Sequence, residues 1–351
     1  MMKGPIGTAV LNREYIEDSN IGFRAAYCNS DLQQKYLQLI ADKFKDIDSH
    51  AQIFEGNRTT NMVDYLLNNN IGKYESSITK IYLGDKIKVA PPFVIDVDRR
   101  RKHNTLICGS NERMAENLLN QYMLSVALNC KTEMYCIDGD VIVGDRSYQA
   151  IYDVFAANCS TFNLAENRGD IITIVRNIYE KFNVKKKTNS DDSIFVFIKN
   201  LQWLDIVQKM LKDETIDESA YIEKKEDKVE TESNPFDWGL DDATSNESVS
   251  YMLRRMIDEG SSCGIYFIFS STEYTVVKES MYYSENILSK IPERIIFSLS
   301  DNDADNLIDG VSVSQMKDNT VYFTDGIKNT FQFKPYVIKG ADEIKTIIER
   351  R

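Results

Sequence analysis

The sequence predicts an α/β fold, a mostly parallel sheet with helices on both faces, preceded by a small α+β connector region. Three observations predict it. From residue 93 onward, short and almost wholly apolar runs recur between longer helical stretches. Strands covered on both faces read this way, whereas half-exposed antiparallel strands alternate with polar residues. One such run ends at Gly109 and passes directly into a helical pattern. Finally, 351 residues with 42% hydrophobic and 11% aromatic content suffice for one large or two ordinary globular domains with a real core.

In chain order, residues 1–90 form the connector. Phe23–Tyr27 suits a strand, and residues 31–44 form an amphipathic helix with Leu32, Tyr36, Leu37 and Ile40 on one face. A second helix is expected at Met62–Asn68, a break at Asn68-Asn69-Asn70 and Gly72, and a turn at Tyr82-Leu83-Gly84-Asp85 that introduces Ile87–Val89 before Pro91-Pro92. Residues 91–351 form the main domain. Its strands are Phe93–Val97, Thr105–Cys108, Met134–Ile137, Ile194–Ile198, Ile265–Phe269 and Arg294–Phe297, and its helices are Glu112–Leu128, Glu166–Phe182, Leu201–Leu211 and Val249–Glu259. Thr320–Thr324 and Thr330–Phe333 flank a Thr-Asp-Gly turn and are expected to form a hairpin. Residues 213–247 read as a disordered acidic insertion, with a candidate interaction motif at Phe236-Asp237-Trp238.

Charge and composition exclude several functions. The net charge is −12, but residues 213–247 carry −10 of it, leaving the rest of the chain near neutral. No broad basic stripe marks a dedicated nucleic-acid binder, and the two short basic runs, at residues 99–102 and 185–187, read as solvated turns. No apolar run reaches the roughly 18 residues of a membrane span, and the N-terminus lacks the pattern of a signal peptide, so a cytoplasmic location is expected. The six cysteines make no CxxC pair and read as reduced, packed thiols. With two histidines, His50 and His103, a histidine dyad or histidine-rich metal site has little material.

The segment from Thr105 to Glu116 carries most of the functional information. An apolar strand, a glycine and a helix in immediate succession is the layout of a phosphate-binding loop, GxxxxGK[ST]. There, backbone N–H groups wrap the phosphates, a lysine reaches the β/γ oxygens and a hydroxyl holds Mg²⁺. Gly109 supplies the first glycine, followed by Ser110, Asn111, Glu112 and Arg113; Met114 stands at the second glycine, Ala115 at the lysine and Glu116 at the hydroxyl. Each change opposes nucleotide binding: a side chain where backbone must approach phosphate, no cation, and an added negative charge. Ser110 or Asn111 can cap the helix, and Glu112 in its first turn can satisfy the positive end of the helix, so that a carboxylate of the protein fills the anion site. The strand ending at Ile198 shows a matching change. Where a working enzyme has Asp for Mg²⁺ and then Glu for water, this chain has Lys199 and Asn200.

Several later segments resemble the FtsK/SpoIIIE family of DNA-translocating P-loop ATPases: residues 104–109, Gly264-Ile265-Tyr266-Phe267-Ile268-Phe269-Ser270-Ser271-Thr272, residues 291–301, 305–309, and 333–337. The resemblance spans roughly 93–340 without one decisive motif, and type VII secretion ATPases are near relatives. It implies a RecA/FtsK-like P-loop fold, hexameric assembly with neighbouring ATPase modules, and DNA as a partner by family only. It also places Thr272 at the sensor glutamine that contacts the γ-phosphate. The departures at Ala115, Glu116, Lys199, Asn200 and Thr272 imply that ATP and Mg²⁺ are not bound and that catalytic and metal-binding residues are absent. Arg254, Arg255 and Arg294 are arginine-finger candidates or ordinary surface arginines. Three functions remain open: a non-hydrolysing module for assembly, docking or regulation in a larger motor; an active translocase with an atypical loop; or an unrelated α/β binding protein.

Overall fold

The computed structural model describes residues 7–12, 20–27, 29–45, 59–87, 90–159, 161–188, 190–221, 247–282, 286–314, 316, 319–327 and 329–350. The motif at Phe236-Asp237-Trp238, His50, Cys28 and residues 222–246 lie outside them. The chain divides into two compact units, Met1–Phe54 and Glu55–Arg351.

In the first unit, β1 (Thr8–Asn12) and β2 (Asn20–Arg24) pair antiparallel, and α1 (Ser30–Lys43) follows. The Asn29 side chain caps α1 by accepting from the Leu32 N–H at 2.8 Å. The expected strand at 23–27 overlaps β2 only at Phe23 and Arg24.

The second unit is built on one ten-stranded sheet. Its strands are β3 (Thr79–Lys86), β4 (Phe93–Val97), β5 (Thr105–Cys108), β6 (Thr132–Asp138), β7 (Phe162–Leu164), β8 (Ser193–Lys199), β9 (Ile265–Ser271), β10 (Glu293–Ile296), β11 (Val321–Thr324) and β12 (Thr330–Pro335). They are ordered β4-β3-β12-β11-β10-β5-β9-β8-β6-β7. From β10 to β7 every pairing is parallel; from β10 to β4 every pairing is antiparallel. The expected closing hairpin is therefore β11–β12, in register Thr324↔Thr330.

The apolar strands alternate between two cores. In β8, Ile194, Val196 and Ile198 pack on one face with α6 (Arg168–Thr188), α7 (Asp205–Leu211) and α8 (Val249–Glu259). Phe195 and Phe197 pack on the other with α2 (Met62–Asn68), α3 (Glu112–Ala127), α5 (Gln149–Asn158) and α11 (Ala341–Ile348). The remaining α-helices are short: α4 (Gly139–Ile142), α9 (Tyr274–Val277) and α10 (Asp301–Asp305). A period of two, with both faces apolar, is what burial on both sides requires.

Several expectations need correction. Tyr82-Leu83-Gly84-Asp85 is no turn but part of β3. A Cβ on Gly84 would lie 1.9 Å from the Lys334 carbonyl oxygen, so this glycine permits close strand approach at a bulge, where the β3–β4 register shifts. The boundary expected at residue 90 falls inside the second unit, because β3 hydrogen-bonds between β12 and β4 and α2 packs in the same core. The helix expected at 201–211 is a 3₁₀ turn at Leu201–Trp203 followed by α7. The start of the acidic segment, residues 213–221, is held in place, with the Arg176 guanidinium gripping Glu218 at 2.7 Å. Cys108, Cys136 and Cys263 are packed thiols as expected, but Cys130 is exposed. Among the described residues no helix is long and apolar enough to cross a membrane.

Candidate nucleotide site at the carboxyl ends of the strands

In an open α/β sheet, ligands gather beyond the carboxyl ends of the parallel strands. Here β5 leads to α3, and β6, β8 and β9 end beside it. The linker from β5 to α3 is only Gly109-Ser110-Asn111, and the helix begins at Glu112, two positions before the residue that would be the second loop glycine. Several of its donors are engaged within the chain. The Gly109 N–H donates to the Ser271 carbonyl at 3.2 Å, and the Met114 N–H donates to the Asn111 side-chain oxygen at 3.0 Å. The Ser110 hydroxyl donates to the Ser298 carbonyl.

Gly109 itself answers to packing. A Cβ there would lie 2.0 Å from the Phe297 carbonyl oxygen and 2.5 Å from its ring. The close approach that demands glycine is therefore to the end of β10. The helix cap is the Asn111 side-chain oxygen, one of the two caps expected from sequence, with Glu112 in the first turn; Glu112 and Arg113 are exposed. Ala115 is buried in the core with α3.

Glu116 points the other way, into a buried cluster at the strand ends. The Lys199 ammonium, 2% exposed at the tip of β8, lies 2.7 Å from Glu116, 3.0 Å from Asp138 at the tip of β6, and 3.5 Å from Asp140. Asp138 and Lys199 are register partners across the β6–β8 pair, which explains why they meet. The Tyr152 hydroxyl, from α5, donates to Asp138. The Tyr148 ring covers the ammonium, its centroid 3.9 Å away. Asn200, in a left-handed conformation at φ 54°, donates from its side chain to Asp140 at 2.8 Å and from its N–H to the Ser270 hydroxyl at 3.0 Å. The Thr272 N–H donates to the Gln202 side chain at 3.3 Å. Glu116, Lys199 and Asn200 are thus brought into one cluster, whereas Ser110, Glu112, Arg113 and Thr272 lie outside it.

One ammonium faces three carboxylates in a water-poor setting. Burial pushes the Glu116 carboxyl up to about 7; Lys199 opposes the rise, and Asp138 and Asp140 add to it. Burial raises Asp140 as well. The neighbouring carboxylates overcome the burial of Lys199 and hold its ammonium charged well above the ordinary range. Asp138, Asp140, Tyr148 and Tyr152 went unremarked in the sequence. The available signal was the Cys-Ile-Asp-Gly-Asp run closing β6, a strand end of the same kind as the one at Lys199.

These residues do not fit a magnesium-bound triphosphate. The linker is three residues long, its Gly109 N–H and Ser110 hydroxyl bond to Ser271 and Ser298, and the carboxylates face an internal cation. Among the described residues no cluster of His, Cys, Asp or Glu is arranged to hold a metal. The arginine-finger candidates are also engaged within the chain. Arg254 pairs with Asp213 at 2.7 Å, Arg255 donates to the Tyr179 hydroxyl at 2.8 Å, and Arg294 donates to the carbonyls of Ile291, Leu307 and Leu288.

No protein-family model matches the chain, and no curated protein does. Solved structures do. The pCW3 conjugation coupling protein TcpA, solved in a monomer form with ATPγS, aligns at TM-score 0.54 and 12% identity over 97% of this chain and 93% of its own. The cytoplasmic domain of EssC aligns at 0.53 and 11%, over 95% of this chain. The cytoplasmic domain of the Thermomonospora curvata type VII secretion ATPase EccC aligns at 0.52 and 13%, over 98%. This chain spans 59% of the EssC domain and 40% of the EccC domain. At such identities the likeness is one of fold: this chain shares the fold of these three solved structures.

Proposed function

We propose that this chain is a non-hydrolysing module of a larger secretion or translocation motor, acting in assembly, docking or regulation beside neighbouring ATPase modules. The observation that carries the reading is the Lys199 ammonium held by Glu116 and Asp138 at the strand ends. A divalent metal and the γ-phosphate would have to displace a buried, multiply bonded ammonium, and the energetic cost of uncovering its carboxylate partners is several kcal/mol. The three-residue linker at 109–111 supports the same reading. A role on DNA draws no support from charge: Lys102 is paired with Asp258, Lys186 with Glu259, and Arg99 donates to the carbonyls of Ser190 and Asp192. A soluble cytoplasmic setting, as part of a membrane-associated complex, fits the same motor role.

Thermal unfolding with and without Mg-ATP tests the proposal, together with steady-state phosphate release. The expected result is no shift in Tm at millimolar nucleotide and no turnover. Ligand at 100 times its Kd would add about 2.7 kcal/mol to stability. A rise in Tm of that order, accompanied by metal-dependent phosphate release, would overturn the proposal.

A further inference from the structure

We propose that α1 is a self-association surface, pairing antiparallel with the α1 of a second copy of this chain. The first unit has little to hold it together alone. Its hairpin has two strands, and α1 has 14 residues. Elements of that size are marginal in water unless their apolar faces are covered. No residue of α1 is buried, and β2 is exposed along its whole length. Cross-strand register sets Leu11 opposite Ile21 and Ala9 opposite Phe23, so one face of the hairpin is apolar. Along α1 and its C-cap, Leu32, Tyr36, Leu37, Leu39, Ile40 and Phe44 are each between 45% and 57% exposed. A contiguous apolar stripe of this kind marks an interaction surface.

The charges beside the stripe choose the occupant. Leu32, Tyr36, Leu39 and Lys43 recur at spacings of four, three and four, the seam of a two-helix coiled coil. Lys35 and Asp42 each stand one position before a seam residue, on the same flank. In an antiparallel pair, Tyr36 of one copy layers against Leu39 of the other, and Lys35 meets Asp42 across the seam. Two-fold symmetry makes that ion pair twice. The same arrangement sets the Lys43 ammonium, in the last turn of one helix, beside Asp31 in the first turn of the other. Within α1 the Gln38 amide donates to Asp42 at 3.3 Å, a neutral donor that leaves the charge to be met from outside. A parallel pair would set Lys43 against Lys43 in the seam and Lys35 against Ile40. Pairing along the neighbouring ridge of Leu37, Ile40 and Phe44 would turn Lys35 and Asp42 away from the contact.

Other partners ask for a different pattern. A nucleic acid or an anionic membrane surface calls for one sign of charge, whereas α1 carries Asp31 and Asp42 against Lys35 and Lys43. A self-complementary pattern is what a contact between two copies of one surface requires. A single pair of 14-residue helices is smaller than a standard interface, so the association should be weak and reversible. It involves no residue of the strand-end cluster, so it stands or falls apart from the reading of that cluster.

Sedimentation equilibrium of the full chain over a wide range of concentration tests the proposal. Dithiothreitol is present, so that no disulfide links the copies, and circular dichroism checks that each variant keeps its helix content. The parent chain is expected to pass reversibly from monomer to dimer, and Leu39→Asp should leave it monomeric. Lys35→Asp brings two carboxylates together at each crossing, and Asp42→Lys brings two ammoniums. Each should weaken pairing by roughly tenfold, equivalent to about 1.4 kcal/mol. Mixed in equal amounts, these two variants should pair again, because each copy supplies the charge that the other lacks. Both changes in one chain should restore pairing likewise. A parent that stays monomeric at the highest concentration would overturn the proposal. So would a dimer that Leu39→Asp does not disturb, or charge variants that pair as well alone as together, since either places the contact on another surface.

Discussion

Two groups of buried polar side chains lie at opposite ends of the parallel strands, and they are balanced differently. At the amino ends, His103 faces Glu293 at 2.7 Å, and the second Glu293 oxygen accepts from the Thr105 hydroxyl at 2.9 Å, itself 3.2 Å from the Tyr122 hydroxyl. One acid meets one base, and the acid's two oxygens are both bonded. At the carboxyl ends, Lys199 alone answers Glu116, Asp138 and Asp140. A brace that only ties strands together needs the first arrangement. The second has more carboxylate than its cation neutralises, and burial pushes the Glu116 carboxyl up to about 7. The carboxylates gathered beyond these strand ends are met by an ammonium from the chain itself.

That contrast can be broken or sharpened by substitution. Lys199→Met should have the largest effect, because it leaves buried carboxylates unpaired; a loss of about 3–5 kcal/mol in urea unfolding is expected. A loss below about 1 kcal/mol would mean that the ammonium is not what holds the cluster together. The pH dependence comes next. Glu116 rises from its ordinary 4.5 to about 7 on folding, so between those values the folded state holds a proton that the unfolded chain has released. Stability from this group is therefore fully present below pH 4.5 and is lost as pH rises through 7, by on the order of 3 kcal/mol at most. Glu116→Gln should flatten that slope, which urea midpoints at a series of pH values would reveal; an unchanged slope would place the proton elsewhere.

Glu293→Gln tests the balanced group. It keeps the shape and one acceptor but loses the charge facing His103, and a cost of about 2 kcal/mol is expected from chemical denaturation. A cost as large as that of Lys199→Met would erase the distinction between the two ends. Tyr152→Phe should cost least, about 1.5 kcal/mol, since it removes one hydroxyl donor from Asp138 while Lys199 remains. No loss would show that Lys199 and the Asp140 N–H satisfy Asp138 without the tyrosine.

Much of the core was legible because each element there is decided locally. Thr105–Cys108, Met62–Asn68 and Val249–Glu259 match the structure at both ends, since apolar runs, an Asn61 or Ser248 cap and a glycine stop are all written within a few residues. Gly84 was misread because one letter serves two purposes: a reversal of the chain and close approach of a neighbour encoded some 250 residues later. α5 and β7 were missed because they are short and their apolar residues are buried by contacts no local pattern announces.

The sequence by itself determined the α/β class, the apolar strands covered on both faces and the passage from β5 through Gly109 into a helix that carries Ala115 and Glu116, because residue type and spacing suffice for those. Only the tertiary structure decided that Glu116 and Lys199 bond each other, that Asp138, Asp140, Tyr148 and Tyr152 join them, and that Gly109 serves the packing of β10. Register across β6 and β8 and the short turn into α3 set those meetings, and Coulomb attraction in a buried setting then makes the meeting a bond.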